Sequence, residues 1–344
     1  MKRLLAIILA TALLTTLVAA CTAPSATQAP VTQAPPVVQK VIEWKAITGP
    51  DRTDGHTANY TLPLFDEINK QLAGRLRITY AGGPESVPPF AQMAPLRQGV
   101  FDLLGTTPSF YGGDLPIAQV GFLLSAPTSD LRAVGMIDLI DEIHQKKLNV
   151  KLLSGFASGV GNTIFLKTKL GKADLTGLKI RTSAIYDPGL KGLGAATVTL
   201  PIGDVYGALD KGIVDGAAFP AIGPLAFKWH EVAKWMTRPL FAAAPMNIIV
   251  NMDSWNKLPK DLQDGLIKVV VQVENAQRPK LQQAMQAEEA DLVKNGVQID
   301  TLTGAEAAKL LAIVDEKSWQ ELVIKADPDY GPKLKALADK LPKR

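Results

Sequence analysis

Leu178-Lys179-Ile180-Arg181, then Val198, then Val205-Tyr206-Gly207-Ala208-Leu209-Asp210-Lys211 read in order as a short strand, a second short strand and a helix. Working outward, the same alternation recurs. Val41 to Ile47, Leu76 to Tyr80, Phe101 to Leu104, Val150 to Leu153 and Thr163 to Lys167 are strand-like, and Met246 to Asn251 is a strongly apolar strand. Between them, Thr57 to Leu72, Pro89 to Gln98 and Leu131 to Lys147 carry helical spacing. Asp253-Ser254-Trp255 opens a further helix with Asp253 as its expected cap. A long helical run from Leu262 to about Lys294 is expected to break or bend near Pro279, followed by a last strand at Val297 to Ile299 and a helical C-terminal part. Strand and helix in repeated alternation predict α/β layers with largely parallel pairing.

The N-terminus reads as a targeting segment. Met1-Lys2-Arg3 is basic, Leu4 to Val18 is apolar apart from three threonines, and Ala19-Ala20 lead to Cys21. That run is shorter than the roughly 20 residues of a membrane-spanning helix. Val18-Ala19-Ala20-Cys21 looks like a bacterial lipobox, so Cys21 is expected to be acylated; the alternative is a signal cleaved near Ala20 that leaves an odd thiol. Residues 22–40, with Ala26-Thr27-Gln28-Ala29-Pro30 and its near repeat, read as an extended spacer at roughly 3.1 Å per residue. Cys21 is the only cysteine, so no intramolecular disulfide, cysteine metal site or cysteine nucleophile is available to the body. With 37 basic and 33 acidic residues and no basic stripe carrying aromatics, nothing points to nucleic acid.

Asp174-Leu175-Thr176-Gly177-Leu178-Lys179-Ile180-Arg181, Leu193-Gly194-Ala195, Leu200-Pro201-Ile202-Gly203-Asp204-Val205-Tyr206-Gly207-Ala208-Leu209 and Asp210 to Gly216 form an ordered set. Together they resemble the solute-receptor subunits of tripartite ATP-independent periplasmic (TRAP) transporters. Gln98 to Asp102, His230 to Lys234 and Val250 to Pro259 match later and earlier segments of that family in order. The resemblance implies a two-lobed periplasmic-binding-protein-like fold, with strands crossing a hinge and a long C-terminal helix packed on both lobes. It places residues 41–158 with part of 246–344 in a first lobe, and 159–245 with part of 260–344 in a second. It implies a small organic-acid ligand, the small and large permease subunits as partners, and an exported location with the lipid on Cys21 as the membrane contact.

Arg181 is the first candidate for ligand binding. A guanidinium offers a carboxylate two parallel donors in a geometry lysine lacks, and the resemblance gives the arginine of this motif that task. The alternative is an ion pair with Asp174 or Asp187. The chain also departs from the family pattern. A second arginine often stands about twenty residues earlier, where this chain has Ser158-Gly159-Val160-Gly161-Asn162-Thr163. Phe219 stands where an asparagine is common, and Phe241 near where a histidine sometimes occurs. All three changes remove polar groups, which points to one carboxylate on an apolar or aromatic body; core packing is the alternative for both phenylalanines. Asp54, His56 and Thr107 fall in loops after strands, where α/β clefts bind ligands; Asn162, Tyr186 and Asn247 complete the candidates.

No enzyme constellation is present. HExxH, GxSxG and a phosphate-cradling loop are absent, Gly155-x-x-x-Gly159-x-Gly161 lacks a lysine, and Asp327-Pro328-Asp329 is too sparse for calcium. No metal and no cofactor is expected. A sensory input protein, a binding protein for an ATP-driven importer and, remotely, a lipid-anchored hydrolase are the alternative functions.

Overall fold

The structure is a computed structural model and describes residues 40–342. The expectations for the signal segment, Cys21 and the spacer up to residue 39 lie outside the described residues.

Eleven strands are present in the described residues: β1 Ile42–Thr48, β2 Leu76–Gly82, β3 Leu103–Thr106, β4 Val150–Ala157, β5 Asn162–Leu166, β6 Lys179–Thr182, β7 Ala196–Thr199, β8 Gly216–Pro220, β9 Trp235–Arg238, β10 Pro245–Asn251 and β11 Gln298–Thr301. They form two sheets, ordered β2-β1-β3-β10-β4 and β11-β9-β5-β8-β6-β7. The two-lobed α/β fold expected from the sequence is therefore present.

The expected parallel pairing holds for five of the nine described strand pairings and fails for four. Strand β10 is antiparallel to both β3 and β4, and β5 is antiparallel to both β8 and β9. The cause is the route of the chain. It leaves the first sheet along β4, enters the second along β5, and comes back from β9 into β10. An outgoing and a returning strand lying side by side must point in opposite directions. Their connections stay paired across the gap: Asn162 and Phe241 exchange backbone hydrogen bonds of 2.8 and 2.9 Å, and Ala244 N donates to Val160 O at 3.0 Å. These paired segments are the hinge-crossing strands.

A third crossing is the helix Lys260–Lys294. Leu262, Leu266, Val269, Val270, Val273 and Leu281 bury against Trp44, Tyr60, Leu64 and Met246 of the first sheet's layer. Leu292 instead joins Phe165, Val205 and Trp229 under the second sheet. The helix is unbroken through Pro279, so of the expected break or bend the break does not occur. Tertiary ties fix both sides of the proline: Arg278 donates to the carbonyls of Ala157 and Ser125, and Leu281 is fully buried. Such contacts offset the missing hydrogen bond.

Three smaller expectations also change. The helix predicted from Leu131 to Lys147 is two helices, Thr128–Ala133 and Met136–Leu148, parted at Gly135 with φ of 78°. The helix Met252–Asn256 is capped by Asn251, whose side chain accepts from Ser254 N at 2.9 Å; Asp253 lies inside the first turn instead. Strands β8 and β9 had no counterpart among the predicted elements.

Candidate functional site

In both sheets the parallel strands end toward the hinge. The first lobe contributes the loops after β1 and β3, and the second contributes those after β6 and β8. Loops at the carboxyl ends of strands are where α/β sheets hold ligands.

Arg181 sits one residue before the end of β6, with Val198 opposite it on β7 and Ala217 opposite it on β8. Its residue exposure is 5%. Nε donates to Leu200 O at 3.0 Å and Nη1 to Ala218 O at 3.1 Å. Leu200 directly follows β7 and Ala218 is the middle residue of β8, so the guanidinium is anchored by backbone of both neighbouring strands. Five N–H groups are available to a guanidinium, and the rest stay free for an acceptor. Neither predicted alternative partner is engaged. Asp174 pairs with Lys172 at 2.9 Å, and Asp187 pairs with Lys191 at 2.7 Å and accepts from Thr197. Among the described residues Arg181 has no carboxylate partner. Burial accordingly pushes its pKa down, with the nearby Tyr186 phenol working the other way.

Tyr186 lies close enough to act on the Arg181 charge and joins two further candidates. Tyr186 donates its hydroxyl to Asn162 Oδ1 at 2.8 Å and meets Phe241 edge to face at 6.3 Å. Asn162 Nδ2 donates to Ala243 O at 2.9 Å, so its amide is committed to holding the two hinge segments together. Phe241 is buried among Phe122, Ile164, Ile180 and Ile185. Phe219 shares the face of β8 that carries Ala217, the residue opposite Arg181. It packs against Trp229 and Phe227, with ring centroids 5.1 and 5.9 Å away.

The first-lobe candidates are scattered. Asp54 Oδ1 accepts from the backbone N–H of His56 and Thr57, both at 3.0 Å, and so caps the turn that follows. His56 is buried, its Nε2 lies 3.3 Å from Ser158 Oγ, and burial lowers its pKa. Thr107 follows β3 directly, and its hydroxyl lies 3.3 Å from that of Ser109. Asn247 is on the first sheet, where it donates to the Tyr111 hydroxyl. Tyr111 in turn lies 3.0 Å from His144 Nε2. His144 Nδ1 is 2.7 Å from Ile140 O, so Nδ1 carries the proton and Nε2 accepts from Tyr111. Burial brings the His144 pKa down to about 4. Arg181 lines neither of the two described cavities. One, of 860 Å³, lies between Asp187, Thr197 and Lys317, and the other, of 660 Å³, lies behind the hinge at Leu240, Phe241 and Trp319.

Sequence reasoning passed over Ser158, Ile222 and Glu288. Ser158 Oγ donates to Ala244 O at 3.0 Å and accepts from Val160 N, tying the crossing segments beside His56. Glu288, on the long helix, accepts from the N–H groups of Gly223 and Leu225. The bonds of Ser158 to Ala244 and of Glu288 to Gly223 and Leu225 join positions distant in sequence, so they carry no local signal.

The model of bacterial extracellular solute-binding proteins, family 7, matches residues 56–325. This chain belongs to that family. A solute-binding protein of Albidiferax ferrireducens is 27% identical over 282 residues, covering 78% of this chain and 79% of its own. A monocarboxylate 2-oxoacid-binding periplasmic protein of Nostoc is 26% identical over 202 residues, covering 56% of this chain and 55% of its own. Among solved structures, a TRAP periplasmic solute-binding protein from Desulfovibrio salexigens with bound orotic acid superposes with a TM-score of 0.74 at 18% identity. It covers 87% of this chain and 97% of its own, a likeness that speaks for the fold. Members of the family are periplasmic receptors that bind small solutes and work with membrane permease subunits. No described helix is long and apolar enough to cross a membrane.

Proposed function

We propose that this receptor captures a monocarboxylate with an apolar or aromatic body and delivers it to the small and large permease subunits of a TRAP transporter, and that it is not an enzyme. The observation that carries the reading is Arg181, a desolvated guanidinium fixed by two backbone carbonyls with no anion of its own among the described residues. A buried cation of this kind favours an incoming carboxylate, and two parallel donors orient it. Phe219, on the sheet face of Ala217 opposite Arg181, and Phe241, packed on Tyr186, support the apolar body. The Nostoc relative, whose name specifies monocarboxylate 2-oxoacids, supports the single carboxylate. In this reading the first lobe comprises residues 41–158 with part of 246–344, and the second 159–245 with part of 260–344. Asn162, Tyr186, Phe219 and Phe241 stand on the second-lobe side of the ligand, with Asp54, Thr107 and Asn247 on the first. A lipid on Cys21 holds the body outside the membrane.

Thermal-shift screening against matched sets of monocarboxylates, dicarboxylates and sugar acids tests this reading. Aromatic or branched monocarboxylates should give the largest shifts. A response confined to dicarboxylates would remove the inference drawn from the phenylalanines, and no response to any acid would remove the receptor reading for carboxylates.

A further inference from the structure

Beyond the hinge-crossing residues Val160 and Ala244, the side chain of Ile222 from the second lobe is seated in the core of the first. Ile222 follows β8 by two residues, yet it is buried in the cluster built on Trp44, Tyr60, Leu64 and Met246. Beneath it lies Gly55, in the loop after β1. A Cβ at position 55 would stand 3.2 and 3.3 Å from the Cδ1 and Cγ1 atoms of Ile222. The isoleucine therefore sits directly against the first-lobe backbone, in space that a glycine leaves open. The long helix positions the loop that carries it. Glu288 accepts from Gly223 N at 2.8 and 2.7 Å through its two oxygens and from Leu225 N at 2.9 Å through Oε1. Hydrogen bonds to a carboxylate are stronger than neutral ones, and they hold the residues immediately after Ile222. Glu288 belongs to the second-lobe half of the same helix whose first half is packed in the first-lobe core.

We infer that Ile222 on Gly55 is an interlobe latch, with Glu288 as its positioning residue, and that this contact sets how readily the cleft opens. The inference rests on the reading of the protein as a receptor that closes on its solute. The contact is made by protein atoms alone, so it is tested on protein alone. Closure is a two-state equilibrium, and removing a contact present in one state shifts it. Loss of the buried Ile222 side chain should move the open-to-closed ratio about tenfold or more. Gly55→Ala should open the lobes by overpacking the same spot. Because both changes act on one contact, the double variant Gly55→Ala/Ile222→Ala should be no more open than Ile222→Ala alone.

The measurement is pulsed electron resonance of interlobe distances, with nitroxides at Lys70→Cys and Lys211→Cys in the full chain carrying Cys21→Ser, and no solute added. The latch predicts longer distances in each single variant, non-additivity in the double, and a smaller opening for Glu288→Gln. Unchanged distances accompanied by a lower Tm would overturn it, since Ile222 would then be a core residue only. Additive opening by the two single changes would overturn it as well. If the cycle is non-additive but no organic acid shifts the Tm, the latch stands and the capture reading falls. If acids bind and the cycle is additive, capture stands and the latch falls.

Discussion

Arg132 and Arg181 are both largely withdrawn from solvent, and they solve the same problem in opposite ways. Arg132 in the first lobe makes a two-point contact with Glu274, Nε to Oε2 at 3.0 Å and Nη2 to Oε1 at 2.8 Å, and also donates to Leu153 O. Glu274 accepts in addition from Ser154 Oγ at 2.5 Å, and Tyr60 stands 2.6 Å behind that serine. Arg181 in the second lobe is more deeply buried than Arg132, yet it holds only backbone carbonyls. A buried charge is tolerated when it is paired and hydrogen-bonded. Arg132 meets both conditions from within the chain. Arg181 meets only the second, which leaves the first for something that comes from outside. The difference separates an arginine that builds the molecule from one that awaits a ligand.

Breaking the paired side should give the largest effect. Arg132→Met leaves Glu274 buried without its cation, which should lower stability by about 3–5 kcal/mol near neutral pH. Burial already raises the Glu274 pKa against the pull of Arg132. Without Arg132 the carboxyl should take up a proton more readily, so the loss should shrink at pH 5. Urea denaturation at the two pH values checks this, and solute affinity should stay unchanged. Arg181→Ala should show the reverse pattern. Affinity for the best acid of the thermal-shift panel should fall by about 2–5 kcal/mol, while stability without solute holds or rises because an unpaired cation has gone. Calorimetry showing equal affinity for both proteins would assign Arg181 to structure.

The contrast also explains what could be read in advance. Arg181 was legible because strand ends, a local ordered motif and a planar cation all lie within one short stretch. The Arg132–Glu274 pair was not, because its partners are 142 residues apart and meet only once the long helix lies across the first sheet. The two sheets followed the alternation of apolar segments closely, from β1 to β7. Strand β8 escaped notice because Gly216 and Pro220 bound it, and β9 because Trp235 to Arg238 follows an amphipathic stretch that reads as helix. The antiparallel pairings of each sheet depend on where the chain crosses the hinge, which periodicity does not encode. Asn162 is the first residue of β5, and its bond to Ala243 O is a tertiary fact that local sequence does not carry.

A third buried nitrogen base sharpens the comparison by remaining neutral. His144 satisfies both ring nitrogens, through Ile140 O and Tyr111, and has a pKa of about 4 against 6.5 in the unfolded chain. Its folded pKa is depressed, so the native state is at no disadvantage above pH 6.5. As the pH falls from 6.5 toward 4 the unfolded chain takes up a proton that the folded one refuses, and stability drops by up to ~3 kcal/mol. His144→Gln should flatten the decline of Tm across that window. An equally steep decline in the variant would place the acid sensitivity elsewhere.

The smallest effect separates the pair from its charges. Replacing both partners, Arg132→Met with Glu274→Met, removes cation and anion together and leaves apolar groups of comparable length. Desolvation of the two charges is then avoided along with their attraction, and such exchanges are often close to neutral. Two losses remain. Ser154 Oγ donates to Glu274 and Arg132 Nη2 to Leu153 O, so the double variant strips that hydroxyl of its acceptor and that carbonyl of a donor, at a cost of about 1 kcal/mol each. The double variant should therefore unfold within about 2 kcal/mol of the parent, above Arg132→Met alone. If it instead falls as far as the single variant, the ion pair itself supports the first lobe. Arg132 and Arg181 would then differ in more than the presence of an internal anion.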